Sequence, residues 1–266
     1  MASMTSIALP TPVSTGSPYE PWRRHFLERR NASHTLPWAE PQRLTGRERR
    51  LVARSVQQFQ LGEWARGRGL MRRASAHPVL AADDAWMPAL QLFIAEEQEH
   101  SNILGRFLEG EGIPRLKTLW LDGIFRRLRK LPGLEVCVTV LVTAETLAIP
   151  FYQALRDATH SPLLRAICVR ILCDEAAHLK FQALTLSLIR RPLGRKARAL
   201  RSLGHAVFFR GTALLLWQQH SLVFRAAGWH FRRFWIEAQR EFALLERHIR
   251  QASLNGPGSW ERQRLD

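Results

Sequence analysis

The chain has 266 residues, 46% of them hydrophobic, and a formal net charge of +16. With roughly 150 residues per domain as a guide, that length suits one large domain or a domain with appendages, and the hydrophobic share is ordinary for a protein with a substantial core. Three cysteines (Cys137, Cys168, Cys173) form no Cys-x-x-Cys pair, which argues against a disulfide framework, a thiolate metal site or a rubredoxin-like iron centre, and points to a reducing, cytoplasmic setting.

Residues 1–42 are rich in Pro, Ser and Thr, lack the basic and then apolar regions of a secretory signal, and read as a disordered arm. Trp22, Phe26 and Trp38 are the residues able to pin parts of it to the body. A first helix is predicted from Thr45, as N-cap, to about Ala74. A second runs from Asp83 or Asp84 to Gly110, where EGEGIP brings glycine and proline stop signals together. A short helix is expected near Leu119–Lys130, then a third long one over 134–158. A fourth starts after Ser161-Pro162, with proline in its favoured first-turn position, and ends before Pro192. Two more are expected over about 196–227 and 230–253, followed by a flexible tail at 254–266. The apolar stretch 205–224 is interrupted by Arg210 and by Gln218-Gln219-His220, so it reads as a buried helix and not as a membrane span. The three cysteines read as small buried residues.

Two Glu-x-x-His pairs carry the chemistry: Glu97 with His100 on the second helix, and Glu175 with His178 on the fourth. Positions three apart share a helix face and reach one cation. Leu90, Phe93, Ile94 and Leu104 flank the first pair, and Cys168, Ile171, Leu172 and Leu179 the second, so both faces should point inward. A buried carboxylate costs several kcal/mol (roughly) unless paired or bound to metal. Single glutamates on the other two helices complete the set. Glu63 lies among Val56, Phe59 and Leu70, with Glu48 as the competing residue on the same helix. Glu145 is the one charged residue between Glu135 and Arg156. Glu63 and Glu97 are 34 residues apart, and Glu145 and Glu175 are 30 apart, as two helical hairpins would require; the 48 residues from Glu97 to Glu145 suit a crossover. Oxygen and imidazole donors without thiolate favour iron or manganese. Tyr152, two turns after Glu145, falls on the same stripe as an electron-transfer or substrate-contact residue, or as a core aromatic. Pro150 interrupts the hydrogen bonding of the third helix nearby.

One glutamate from each of two helices and Glu-x-x-His from each of the others is the pattern of the bundle di-metal proteins. Over about 45–191 the sequence resembles the ferritin-like di-iron carboxylate superfamily. Each ligand glutamate follows an acid, giving Glu96-Glu97-x-x-His100 and Asp174-Glu175-x-x-His178, which is similar to soluble acyl-carrier-protein desaturases and bacterial di-iron monooxygenases. The resemblance implies an all-α fold, a ferritin-like four-helix bundle with one crossover connection over 43–191, with the helices of 192–253 packed on it. It implies metal ligands Glu63, Glu97, His100, Glu145, Glu175 and His178, with Glu96 and Asp174 each holding a ligand histidine by a hydrogen bond. The radical tyrosine of ribonucleotide reductase small subunits is replaced by Leu104, the third histidine of bundle amine N-oxygenases by Ile171, and bacterioferritin is a much shorter chain.

The expected cofactors are two iron ions, or manganese with iron, served by an external electron donor. The expected function is an oxidoreductase that activates dioxygen to hydroxylate, desaturate or N-oxygenate an apolar or aromatic small molecule, free or bound to a carrier protein. Expected partners are an acidic ferredoxin or reductase and a second copy of the chain in a homodimer. The alternatives are a ferroxidase or metal-handling protein, a hydroxylase of a tRNA base, to which the basic surface with its 35 arginines points, and a catalytically silent helical interaction protein.

Overall fold

The structure is a computed structural model that describes residues 16–31, 35–39, 43–64, 67–117 and 133–254. The helix expected at 119–130 and the tail after Leu254 lie outside these residues. Among the described residues there are eight helices and no strand: α1 (Glu20–Asn31), α2 (Gly46–Trp64), α3 (Gly67–Ser75), α4 (Trp86–Gly110), α5 (Leu134–Ala158), α6 (Pro162–Arg190), α7 (Arg195–Ala226) and α8 (Phe231–Leu254). The chain is all-α and bundle-like.

The local chemistry of several ends matches their sequence. Thr45 and Glu48 form a reciprocal cap at the start of α2: the Glu48 N–H donates to Thr45 Oγ1 (3.2 Å) and the Thr45 N–H donates to Glu48 Oε2 (2.9 Å). Its other oxygen accepts the His160 N–H at 2.6 Å, so Glu48 is committed to holding the α5–α6 turn and is no rival to Glu63. Ser161 caps α6 by accepting from the Leu164 N–H at 3.3 Å. Gly112, at φ +63°, closes α4: its N–H reaches the Glu109 carbonyl and the next N–H, of Ile113, reaches back to Leu108. That double closure needs a left-handed residue, which glycine adopts without steric cost. At the start of α4 the cap differs from expectation. Asp83 accepts from the Ala85 N–H at 2.9 Å and from the Ser17 hydroxyl at 2.6 Å, and the helix begins only at Trp86. The single helix expected over 45–74 is two helices, α2 and α3.

The helices pair as α5 on α6 and α2 on α4, with α8 packed on α6 and α5, α7 on α5 and α2, and further packing of α4 on α6 and of α3 on α4 and α5. α5 is long and apolar enough to cross a membrane by length and composition, yet 72% of that stretch is buried inside the fold. It carries the buried Glu145 and runs on through Pro150 to Ala158.

Three expectations need correction. First, the arm expected to be disordered over 1–42 contains α1, which packs on α4. Tyr19 and Phe26 are buried, and Phe181 of α6 sits within 6 Å of the rings of Tyr19, Trp22, Phe26, Trp86 and Phe93. Burying two such rings offsets the ordering cost of a short helix that has too few residues to be stable alone. Trp38 is held separately, under the Arg106 guanidinium at 4.0 Å. Second, Cys173 is exposed, whereas Cys137 and Cys168 are buried as expected. Third, α7 is buried on one face only, through His205, Phe209, Ala213, His220, Val223 and Phe224.

Two α7 histidines are internal struts. His205 Nε2 lies 3.1 Å from Thr143 Oγ1, and His220 Nδ1 lies 2.8 Å from Ser55 Oγ. Burial drives His220 from an ordinary 6.5 to about 4. The unfolded chain therefore takes up a proton that the fold refuses. Stability on this account is complete above about pH 6.5 and is lost as pH falls toward 4, by about 3 kcal/mol over the interval. Urea midpoints measured against pH should fall less steeply for His220→Gln than for the parent chain; parallel profiles would remove His220 from the account.

Candidate metal centre

The apolar spacing of α4 and α6 turns both Glu-x-x-His faces inward. Glu97, His100, Glu145, Glu175 and His178 have no solvent exposure, and Glu63 has 1%. Among the described residues two groups of potential ligand atoms result, each within 4.8 Å of one another: Glu97 with His100 and Glu175, and Glu145 with Glu175 and His178. Glu175 belongs to both. Glu63 belongs to neither, although its charge acts on Glu175 and its Oε1 accepts the Tyr152 hydroxyl at 3.4 Å. Tyr152 is thereby placed on the Glu63 carboxylate, fully buried and edge-on to Phe59 at 5.3 Å.

The two histidines are held from outside in a reciprocal way. His100 of α4 meets Asp174 of α6 at 3.0 Å through Nε2, and His178 of α6 meets Glu96 of α4 at 2.9 Å through Nε2. A carboxylate can only accept, so both Nε2 atoms carry the proton and both Nδ1 atoms face the carboxylates of the centre. Each Nδ1 lies 3.8 Å from the glutamate of its own Glu-x-x-His pair. His178 Nδ1 also lies 2.9 Å from Glu97 Oε1. That extra contact separates the two rings. Burial pushes His178 down, but the hydrogen bonds to Glu96 and Glu97 outweigh it and raise the imidazole well above its ordinary value. For His100 burial wins and lowers it to about 4, with Glu97 opposing. Asp174 is also engaged by two cations.

Those cations are Arg170, whose Nε donates to Asp174 Oδ2 at 2.9 Å, and Arg29 of α1, which pairs with Asp174 Oδ1. Arg29 Nε is also 3.8 Å from Glu96. One residue of the N-terminal arm therefore ties together the two acids that orient the two histidines. Inside, Gln182 donates to Glu145 Oε2, and Gln60 holds Ser101, next to His100, at 3.0 Å. Sequence reasoning missed Gln182, Arg170 and Arg29. Gln182 stands seven residues after Glu175 on the same helix face, and Arg170 four before Asp174, so spacing offered a signal for both. Arg29, 145 positions from Asp174, had none.

The donor set suits a hard or borderline divalent cation. The donors are carboxylate oxygens and imidazole nitrogens, with no thiolate in either group. Neither oxygen of Glu175 has a hydrogen-bond partner. Its carboxyl is pushed well above the ordinary range, by burial first and then by Glu97, Glu145 and Glu63. Several buried carboxylates converge on Glu175, and cations placed between them would offset their mutual repulsion. A separate cavity of about 380 Å³, lined by Tyr19, Leu80, Asp83, Leu184, Leu188 and Leu254 among others, touches none of the six residues.

No family model, curated protein or solved structure matches this chain.

Proposed function

We propose that α2, α4, α5 and α6 form a ferritin-like four-helix bundle holding two ions, both iron or manganese with iron, and that the chain is an oxidoreductase that activates dioxygen against an apolar or aromatic small molecule. The observation that carries this reading is the pair of Glu/His groups sharing Glu175, with each histidine held at Nε2 by an acid from the facing helix. Glu97, His100 and Glu175 would hold one ion, and Glu145, Glu175 and His178 the other, with Glu63 as the α2 carboxylate of the six-residue pattern. When bound, such a pair supplies redox equivalents and Lewis acidity for dioxygen chemistry, with an acidic ferredoxin or reductase as electron source.

The chain's own residues do the rest. Glu96 and Asp174 keep the proton on each Nε2, which leaves the inner nitrogen a lone pair for a cation. Gln182 and Tyr152 fix the carboxylates of Glu145 and Glu63 by donating to them. Phe93, 4.8 Å from the His178 ring, and Phe26, at 6.0 Å, exclude water on the α1 side. A dry, apolar wall strengthens the electrostatics within and suits a substrate of the same character.

The test is oxygen uptake. The chain, loaded anaerobically with ferrous iron and supplied with a reductant, should consume dioxygen on exposure to air, and Glu97→Ala should not. Loaded protein that binds two ions yet consumes no dioxygen beyond free iron would defeat the oxidoreductase reading. Uptake that scales with many irons per chain would make it a ferroxidase.

A further inference from the structure

Among the described residues, nothing covers the outer face of α7. Leu200 is 70% exposed, Leu203 61%, Val207 63%, Leu214 50% and Leu222 59%. At 3.6 residues per turn these five side chains fall within an arc of about 100°, opposite the buried face, and run along about 33 Å of helix. Gly204 and Gly211 lie in the same arc, and a side chain added at either would meet nothing within 4 Å, so no other described part of the chain covers it. Lys196 and Arg225 stand in that arc at its two ends, and Arg210 borders it. Single exposed leucines are ordinary, but an aligned row of five on one helix marks a contact surface.

Charge decides what it contacts. α7 carries six basic residues (Arg195, Lys196, Arg198, Arg201, Arg210, Arg225) and no acidic one. A second copy seated on this face would set cations against cations with no acid on either helix to answer them, which costs free energy. A protein partner would seek aromatic anchors and pockets, whereas this ridge is convex and aliphatic. We infer that α7 is a docking face for an anionic lipid surface. The helix lies flat, Leu200, Leu203, Val207, Leu214 and Leu222 enter the headgroup–acyl boundary, and Lys196, Arg210 and Arg225 meet lipid phosphates. The inference stands whether or not the centre holds metal, because no residue of the centre takes part.

The full chain should sediment with vesicles of phosphatidylglycerol and phosphatidylcholine in equal parts, and far less with phosphatidylcholine alone. Leu203→Gln/Val207→Gln/Leu214→Gln leaves the charge unchanged and should lower the partition coefficient roughly tenfold while circular dichroism and melting stay as in the parent. Leu200→Gln/Leu222→Gln, at the ends of the same row, serves if the triple variant does not fold. Binding equal to the parent's in a folded variant would reduce the effect to diffuse attraction of a basic protein and overturn the docking face. So would a parent chain that stays in the supernatant, or one that is a lipid-free dimer made monomeric by the substitutions.

Discussion

Glu175→Ala is expected to strip the centre of both ions at once. Glu175 is the one residue common to the two donor groups, and neither of its oxygens is spent on a hydrogen bond within the protein. Removing it takes a donor from each group and leaves two residues apiece, too few to hold a divalent ion against water. Glu145→Ala removes a donor from one group only and should spare the ion held by Glu97, His100 and Glu175. Plasma mass spectrometry after anaerobic reconstitution should give about two ions per parent chain, about one for Glu145→Ala and none for Glu175→Ala. Without metal the order of stability should reverse. Glu175 is then a buried carboxyl set against Glu97 and Glu145, so Glu175→Ala should melt no lower than the metal-free parent despite the small cavity it leaves. A folded parent chain that takes up neither iron nor manganese would sink the metal centre and leave a helical protein with an acidic interior.

Asp174→Asn should damage the centre and the docking of α1 together. Asp174 is fully buried at its side chain and answers three groups: His100 Nε2, Arg170 Nε and Arg29. Asparagine is close in shape but neutral. It leaves two guanidinium groups without their carboxylate and relaxes the restraint that keeps the His100 proton on Nε2. Loss of such an outer partner lowers metal affinity by about 10–100-fold. Breaking a fully buried ion pair costs about 3–5 kcal/mol; Arg29 and Arg170 keep 26% and 15% side-chain exposure, so water softens the loss to about 2 kcal/mol. Chelator competition would read the affinity and urea midpoints the stability. Hydrogen exchange should show α1 opening before the rest of the fold. Glu96→Gln is the control: Glu96 contacts Arg29 only at 3.8 Å, so it should weaken metal binding through His178 with a smaller effect on α1. Unchanged affinity in Asp174→Asn would remove the outer acids from the mechanism.

Much of the centre was legible in the sequence because it is written in short-range spacing. A glutamate and a histidine three apart share a face whatever else the helix does, and apolar neighbours at the same period say which way that face points. Glu97, His100, Glu145, Glu175 and His178 come together on this basis, and Glu63 is buried nearby. Helix ends written in caps were legible as well, at Thr45, Ser161 and Gly112. Glu96 shows where spacing misleads. It stands four residues before His100, the distance of an ordinary intrahelical pair, yet it holds His178 on α6. The reason is geometric: each histidine turns Nδ1 toward its own glutamate, so Nε2 points across to the facing helix.

What the sequence by itself determined is the set of inward faces on α4, α5 and α6 and the chemical hardness of the donors they present, since both follow from helical period and residue type. The tertiary structure alone decided which acid serves which histidine, that Arg29 from a Ser/Pro-rich arm closes the outside of the centre, that Glu48 holds a turn, and that one side of α7 is left bare. Each of these depends on which residues far apart in the chain meet or fail to meet, and such pairings leave no period in the sequence to read.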